Sequence, residues 1–426
     1  MSQPARILAA LAFGLLLGIA SAATKGAWVE NAIAVADPIG GLWLDALRMT
    51  IIPLIVALLI TGIAASAEAA RASRLAGRAV LLFFAVLWSG AILSAFLTPM
   101  LLQFFPMPGD SAAALRAALS AAPAEVGEIP TLGQFARSII PTNPISAAAN
   151  DQILPLIVFT SLFAFALTRL PEAPRRNLTD LFRSIADVML VIINWVLWLA
   201  PIGVFALAYV VGARAGASAL GALLHYVLIV SAVGVLIWFA AWPLARIGAG
   251  IGFLQFTRAM GPSTAVAIST QSSLASLPAM LRGAERLNVP VAASGVTLPL
   301  AVALFRATGP AMNLAVAIYV ANWFGVPLTP WTIAAGVAVA ATTTLGAISL
   351  PGSISFISSI APICLAMGVP IEPLVLLVAV ETLPDIVRTT GNVAMDVATT
   401  ATVARRSGFE ADETKSREDR LLEEGA

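Results

Sequence analysis

Cysteine and histidine are almost missing from this 426-residue chain, which has one of each, Cys364 and His225. No intramolecular disulfide can form, and a zinc site built from Cys and His is excluded on count alone. Charge is scarce too: 11% of the residues are Asp, Glu, Lys or Arg, against about 25% in an ordinary soluble domain. A chain of this length with so little polar surface cannot stand in water as a globule. Its net charge of +1 offers nothing to a polyanion, so no nucleic-acid partner is expected. What is present is apolar: 59% of the residues, with a mean hydropathy of +0.93.

The apolar residues fall in stretches near the roughly 20 residues that cross a bilayer. Candidate spans are 7–23, 41–65, 78–103, 151–169, 184–213, 218–243, 291–324 and 372–404. Two further stretches, 252–282 and 330–365, are broken by Ser, Gly and Pro clusters and fit a full crossing poorly. The first span follows a single Arg and ends at Ser21-Ala22-Ala23, features shared with a signal peptide; the many later spans favour a first transmembrane helix. Basic residues cluster in alternate connections: Arg71, Arg74 and Arg78; Arg169, Arg175, Arg176 and Arg183; Arg246 and Arg258; Arg282 and Arg286; Arg405 and Arg406. The other side has few: Lys25, Arg48, Arg116, Arg137 and Arg214. By the positive-inside rule the basic side is cytoplasmic.

The expected fold is therefore an all-α polytopic membrane protein: eight transmembrane helices plus two re-entrant helical hairpins. It would sit among the lipids of an inner (plasma) membrane with both termini cytoplasmic. Residues 104–150, with Asp110, Arg116, Glu125 and Glu128, form the longest polar interruption, and 407–426 read as a charged, solvated cytoplasmic tail.

Ionisable residues inside a span are costly and usually face a cavity or a partner. The last span holds Glu381, Asp385, Arg388, Asn392 and Asp396, at spacings of 4, 7, 11 and 15 residues from the first. On a helix these fall within an arc of about 80°, one face roughly 22 Å long. Such a stripe suggests a path for a solute or ion. Arg388 is suited to a carboxylate, which guanidinium grips as a bidentate fork, and Asp385 to an ammonium group on the same molecule. The plainer reading is that Asp385 and Arg388 neutralise each other to hold the bundle; it leaves Glu381, Asn392 and Asp396 unexplained.

The broken stretches carry Ser269-Thr270-Gln271-Ser272-Ser273-Leu274-Ala275-Ser276-Leu277-Pro278 and Leu350-Pro351-Gly352-Ser353-Ile354-Ser355. Small hydroxyl residues with Pro or Gly let a helix stop in mid-membrane, where its backbone can face a ligand. Runs of this kind also serve as packing seams between helices.

The chain resembles the dicarboxylate/amino acid:cation symporter family, the glutamate transporter homologues, over nearly its whole length. Asp385-Ile386-Val387-Arg388-Thr389-Thr390-Gly391-Asn392-Val393-Ala394-Met395-Asp396 follows that family's Asp-x-x-Arg-Thr-x-x-Asn-Val-x-x-Asp. Gln271 to Pro278 is similar to its serine-rich first hairpin tip, and Pro351-Gly352-Ser353 to the tip of its second hairpin. Pro141-Thr142-Asn143-Pro144 and Ala200-Pro201-Ile202-Gly203-Val204-Phe205-Ala206 are further shared signatures.

The resemblance implies a secondary symporter, not an enzyme, forming a homotrimer and needing no cofactor. Residues 1–250 would supply mainly scaffold and trimerisation helices. The transport core would be 251–406, joined by the third helix at about 78–103. Within the core would lie hairpin 1 (252–282), the seventh helix (291–324), hairpin 2 (330–365) and the eighth helix (372–404). Arg388 would bind a side-chain carboxylate and Asp385 an amino group. Thr389 and Asn392 would also touch the solute, with the hairpin tips at Ser272, Ser273, Pro351 and Gly352. The solute would be aspartate, glutamate or a C4-dicarboxylate; keeping both Asp385 and Arg388 resembles the acidic amino acid branch.

Two departures bear on the coupling ion. Where the family has Asn-Met-Asp-Gly-Thr, this chain has Phe305-Arg306-Ala307-Thr308-Gly309; where it has Tyr-Tyr-x-x-Thr-Ser, the chain has Phe83-Phe84-Ala85-Val86-Leu87-Trp88. A hard cation needs oxygen donors, and Phe, Ala and Leu side chains offer none. The expectation is loss of the buried sodium site between these helices, with Asp396 and Asn392 surviving as a residual cation site. Arg306 would supply the missing positive charge, against the plainer reading that it snorkels to water. Coupling would then run on H+, through Glu381 or Asp396, or by exchange, with Na+ as the alternative. His225, among Leu223, Leu224 and Tyr226, reads as structural. A membrane enzyme is disfavoured because Ser272 has no histidine to activate it. A channel, or a sensor that binds a solute without moving it, fits the same motifs.

Overall fold

The computed structural model describes residues 3–24, 26, 28–107, 137, 139–150, 152–216, 218–344 and 352–407. Pro351, the polar stretch with Asp110, Arg116, Glu125 and Glu128, and the tail from 408 lie outside these residues. Regular structure among the described residues is helical throughout. In chain order the helices are α1 (Gln3–Thr24), α2 (Trp28–Ala72), α3 (Arg74–Phe104), α4 (Pro144–Ala149), α5 (Ile153–Leu167) and α6 (Glu172–Trp198). Then come α7 (Ala200–Ala215), α8 (Ser218–Phe239), α9 (Ala241–Ala249), α10 (Phe253–Thr270), α11 (Ser273–Arg286) and α12 (Val291–Leu304). The series ends with α13 (Gly309–Phe324), α14 (Pro330–Thr343), α15 (Gly352–Ala366), α16 (Leu374–Val380) and α17 (Thr382–Arg406).

Among the described residues, five helical stretches are long and apolar enough to cross a membrane: Trp28–Ala70, Arg74–Phe104, Glu172–Trp198, Leu220–Ala249 and Val291–Phe324. Ala9–Thr24, Ile153–Leu167, Ala200–Arg214, Pro330–Thr343 and Phe356–Ala366 are shorter apolar helices. The outer faces carry large apolar side chains such as Leu81, Phe96, Trp195 and Trp198, all well exposed. In water that surface would be an aggregation patch; in lipid it is the favoured one.

Several expected spans are bent or interrupted, and proline explains where. The stretch 184–213 is divided at Leu199, because Pro201 has no N–H for the carbonyl of residue 197. Within 372–404, α16 ends at Val380 and Glu381 occupies the turn; Pro384 cannot donate to the Val380 carbonyl. Within 291–324, Pro310 at the start of α13 bars a helical bond back to Arg306. Residues 305–308 are consequently unwound between α12 and α13. The stretch 252–282 forms two helices, α10 and α11, packed against each other. They meet at Gln271, whose φ of 50° is left-handed, and at Ser272, whose hydroxyl caps α11 by accepting from the Ala275 N–H at 3.2 Å.

Buried side chains form two main clusters. One joins α1, α2, the later part of α3 (Ala91, Ala95 and Leu102) and α5 to α8 with α13 to α16. The other joins α3 and α9 to α12 with α17. α1 packs along α7, where glycine lets the backbones touch. A Cβ on Gly18 would lie 2.3 Å from the Tyr209 carbonyl oxygen, and one on Gly212 would lie 2.4 Å from that of Leu15. With Gly14 four residues before Gly18, this is the small-xxx-small seam by which membrane helices approach closely.

Candidate functional site

α17 is too polar to count among the apolar spans, and it needs no lipid-facing surface because the protein encloses it. From Arg388 to Ala404 every residue is buried, between α3, α8, α9 and α10 to α12. The polar stripe therefore faces protein along its length.

At its start the stripe closes on itself. Arg388 Nη2 donates to Glu381 Oε1 at 2.5 Å and Nη1 to Asn313 Oδ1 of α13 at 2.6 Å. Arg388 Nε lies 3.5 Å from Asp385 Oδ1. The other Glu381 oxygen, Oε2, accepts from the Tyr226 hydroxyl of α8 at 3.0 Å. The guanidinium expected to hold an anion is thus engaged by two carboxylates and an amide of the same chain. A carboxylate would have to take over one of those bonds to reach Arg388.

One turn on, Asn392 holds the unwound segment. Its Oδ1 accepts from the Thr308 backbone N–H at 2.9 Å and the Thr308 hydroxyl at 2.8 Å. The same hydroxyl lies 3.0 Å from the Arg388 carbonyl oxygen and can donate to it instead. The approach is close enough that a Cβ on Gly391 would come within 2.5 Å of Thr308 Cγ2. Asn392→Ala would leave the buried Thr308 N–H unpaired while its hydroxyl turns to the Arg388 carbonyl, at a cost of about 1–3 kcal/mol. It is expected to lower the thermal unfolding temperature in detergent, whereas an Asn392 used only to touch solute would leave it unchanged.

Asp396, fully buried, has no hydrogen-bond partner for either carboxylate oxygen among the described residues. Arg306 is the charged group that acts on it, and Arg306 also acts on Asp385. Next to Arg306, the rings of Phe305 and Phe83 of α3 stack with centroids 4.5 Å apart and planes 9° from parallel. Both rings are buried, with Leu87 and Ala307 beside them in the same cluster. Hydrocarbon fills the place where the resemblance would put ion ligands.

The remaining site residues lie as follows. Thr389 is buried on α17. Ser272 and Ser273 are half-buried at the α10–α11 turn, and both helices pack on α17. Gly352 opens α15, and Pro351 precedes the described residues. Sequence reasoning missed three partners: Asn313, Tyr226 and Thr308. Asn313 carried a partial signal, being an amide within a mostly apolar span that also holds Asn322.

With this arrangement in view, comparison with known proteins is decisive. The sequence model of the sodium:dicarboxylate symporter family matches residues 4–406. The chain belongs to the sodium:dicarboxylate symporter family. Family membership and the apolar helices make it a multi-pass membrane protein of a transporter family, not an enzyme. Similar symporter-family proteins include the proton/glutamate-aspartate symporter of Escherichia coli (strain K12), 26% identical with 94% of this chain and 92% of the relative covered. The proton/sodium-glutamate symport protein of Bacillus subtilis (strain 168) is 27% identical, covering 93% and 91%. A C4-dicarboxylate transport protein of Cupriavidus taiwanensis is 28% identical, covering 99% and 94%.

Proposed function

We propose that this protein is a secondary active symporter that moves a small dianionic solute, an acidic amino acid or a C4-dicarboxylate, without the buried sodium site of its resemblance family. The observation that carries the ionic part is the Phe83–Phe305 stack beside Arg306. Two aromatic rings stand where oxygen ligands would be needed, and a fixed guanidinium acts on Asp385 and Asp396. Arg306 would serve as a tethered counter-charge. Energy would come from protons or from exchange against a second anion.

Arg388 would take the solute carboxylate after releasing one of its own partners. Asp385 would take an ammonium group, which favours aspartate or glutamate over a plain dicarboxylate. Thr389, Ser272 and Ser273 at the α10–α11 turn, and Pro351 and Gly352 would also touch the solute. In this reading the chain has eight membrane spans and two re-entrant hairpins, α10–α11 and α14–α15, with both termini cytoplasmic in the inner membrane. It would assemble as a homotrimer with a transport core of 251–406 and α3. For that division, α3 shares a buried cluster with α10 to α12 and α17; against it, α3 and α13 to α16 also share one with α1, α2 and α5 to α8. A residual cation site at Asp396, with Asn392 nearby, is the second reading, favoured by the two unpaired Asp396 oxygens.

The test is uptake of labelled aspartate, glutamate and succinate into proteoliposomes under separately imposed proton and sodium gradients. Uptake is expected to respond to the proton gradient or to internal anion, and not to sodium. Arg306→Ala should lower it about tenfold or more, equivalent to about 1.4 kcal/mol, and added sodium should not restore it, since the rings of Phe83 and Phe305 remain in place. Sodium-driven uptake by the unaltered protein would favour the second reading and sink the tethered-charge proposal.

A further inference from the structure

Two of the chain's three tyrosines and its single histidine lie in one file that ends on Glu381. The Tyr226 hydroxyl donates to Glu381 Oε2 at 3.0 Å. The Tyr226 ring meets Tyr319 of α13 edge-on, with centroids 5.3 Å apart. The Tyr319 hydroxyl lies 3.1 Å from His225 Nδ1 and donates to the Ala222 carbonyl at 3.1 Å. His225 Nε2 in turn lies 2.9 Å from the Phe105 carbonyl oxygen, in an exposed contact at the C-terminal end of α3. The file thus runs from an exposed contact to a buried carboxylate, hydrogen-bonded at either end and joined between the two tyrosines by a ring contact, and nothing in the function proposed above uses it.

Charge counting gives the file a purpose. The polar core holds three buried carboxylates, Glu381, Asp385 and Asp396, the buried guanidinium of Arg388 and the half-buried guanidinium of Arg306. With all five ionised, one negative charge is unmatched, a costly state away from water. Arg306 acts on Asp385 and Asp396, so Glu381 and Asp385 share Arg388. Around Glu381, α8 contributes Tyr226, with His225 and Tyr319 of α13 behind it; α17 contributes Asp385 and Arg388; α16 is wholly apolar. Asp396 has no hydrogen-bond partner among the described residues, and among them Arg306 is the charge acting on it.

We infer that Glu381 takes up one proton when the anionic solute binds, and that His225, Tyr319 and Tyr226 mark its route from the open end of α3. An O–H bond of hydronium breaks at the solvent end of the file, an O–H bond forms at Glu381, and no electrons move. Protonated Glu381 can reverse its bond to Tyr226, donating where it accepted. Its bond to Arg388 loses the ionic part, and the freed guanidinium edge meets the solute carboxylate. The core then gains a proton with each anion it admits, which makes binding stronger as pH falls. The inference rests on the symporter reading above and names its coupling site.

Calorimetric titration of the purified full-length protein with aspartate and with succinate, in buffers of differing ionisation heat, counts the protons taken up. The unaltered protein should bind about one, and its affinity should weaken by up to about tenfold per pH unit on the alkaline side. Glu381→Gln should bind solute with no proton uptake and a flat pH profile, since the amide mimics the neutral acid. Tyr226→Phe, which removes one hydroxyl, should keep the proton count and slow proton-driven uptake in liposomes; thermal melts identify any variant that fails to fold. A count of zero in the unaltered protein, or one that persists in Glu381→Gln, overturns this inference and leaves the symporter standing. If Glu381→Gln does not fold, proton-driven uptake by Tyr226→Phe at the unaltered rate overturns it instead. Failure of the folded, unaltered protein to bind either solute overturns both.

Discussion

Arg388→Ala is expected to abolish uptake of acidic solutes and also to destabilise the protein, because one side chain serves both ends. In the structure its three nitrogens face Glu381, Asn313 and Asp385. Removing it strands two buried carboxylates, and breaking such a pair from one side costs about 3–5 kcal/mol. Loss of a charge-assisted bond to the solute carboxylate should weaken binding by about 100-fold, near 3 kcal/mol. Arg388→Lys restores the charge but not the fork, so it should recover most of the stability and little of the binding. Thermal unfolding in detergent and equilibrium binding of aspartate separate the two effects. If Arg388→Ala melted normally, the internal pairing would not be what holds α17 to its neighbours.

A second large effect is expected far from the site. Gly18→Ala places a methyl group 2.3 Å from the Tyr209 carbonyl oxygen and 2.7 Å from the Ala213 nitrogen. Both are backbone atoms of α7, so no rotamer relieves the clash and the helices must part along the seam. The cost should reach about 3 kcal/mol, the upper end for overpacking, and show as loss of folded protein on size exclusion. Gly41→Ala is the matched control: no atom lies within 4 Å of its Cβ position, and helical Gly→Ala stabilises by about 0.5–1 kcal/mol. Opposite signs for the two substitutions would locate the effect in the α1–α7 contact. Equal effects would mean that the seam is looser than the structure has it.

How far the site was legible follows from what is local in sequence. The stripe from Glu381 to Asp396 could be read because helical periodicity is a property of one segment, and α17 keeps it as a buried face. The unwound residues 305–308 could be placed only by resemblance, though Pro310 supplies the physical cause of the break. Contacts that determine the chemistry were not legible. Asn313 lies 75 residues from Arg388 and Tyr226 lies 155 from Glu381, and no pattern within a helix announces such pairs. The same holds for Asn392, which reads as a solute or cation ligand yet spends its oxygen on Thr308. His225 reads as structural from its apolar neighbours; only the fold puts Phe105 on one side of it and Tyr319 on the other.

Arg306 has an energetic consequence if it replaces a bound ion. A sodium ion that enters with the solute and departs inside does work, worth about 2.3 kcal/mol for each 100 mV of membrane potential. A charge fixed to the chain goes out and back with every cycle and does none. Such a carrier gives up concentrating power and in return works at any salinity, drawing on pH or on the solute gradient alone.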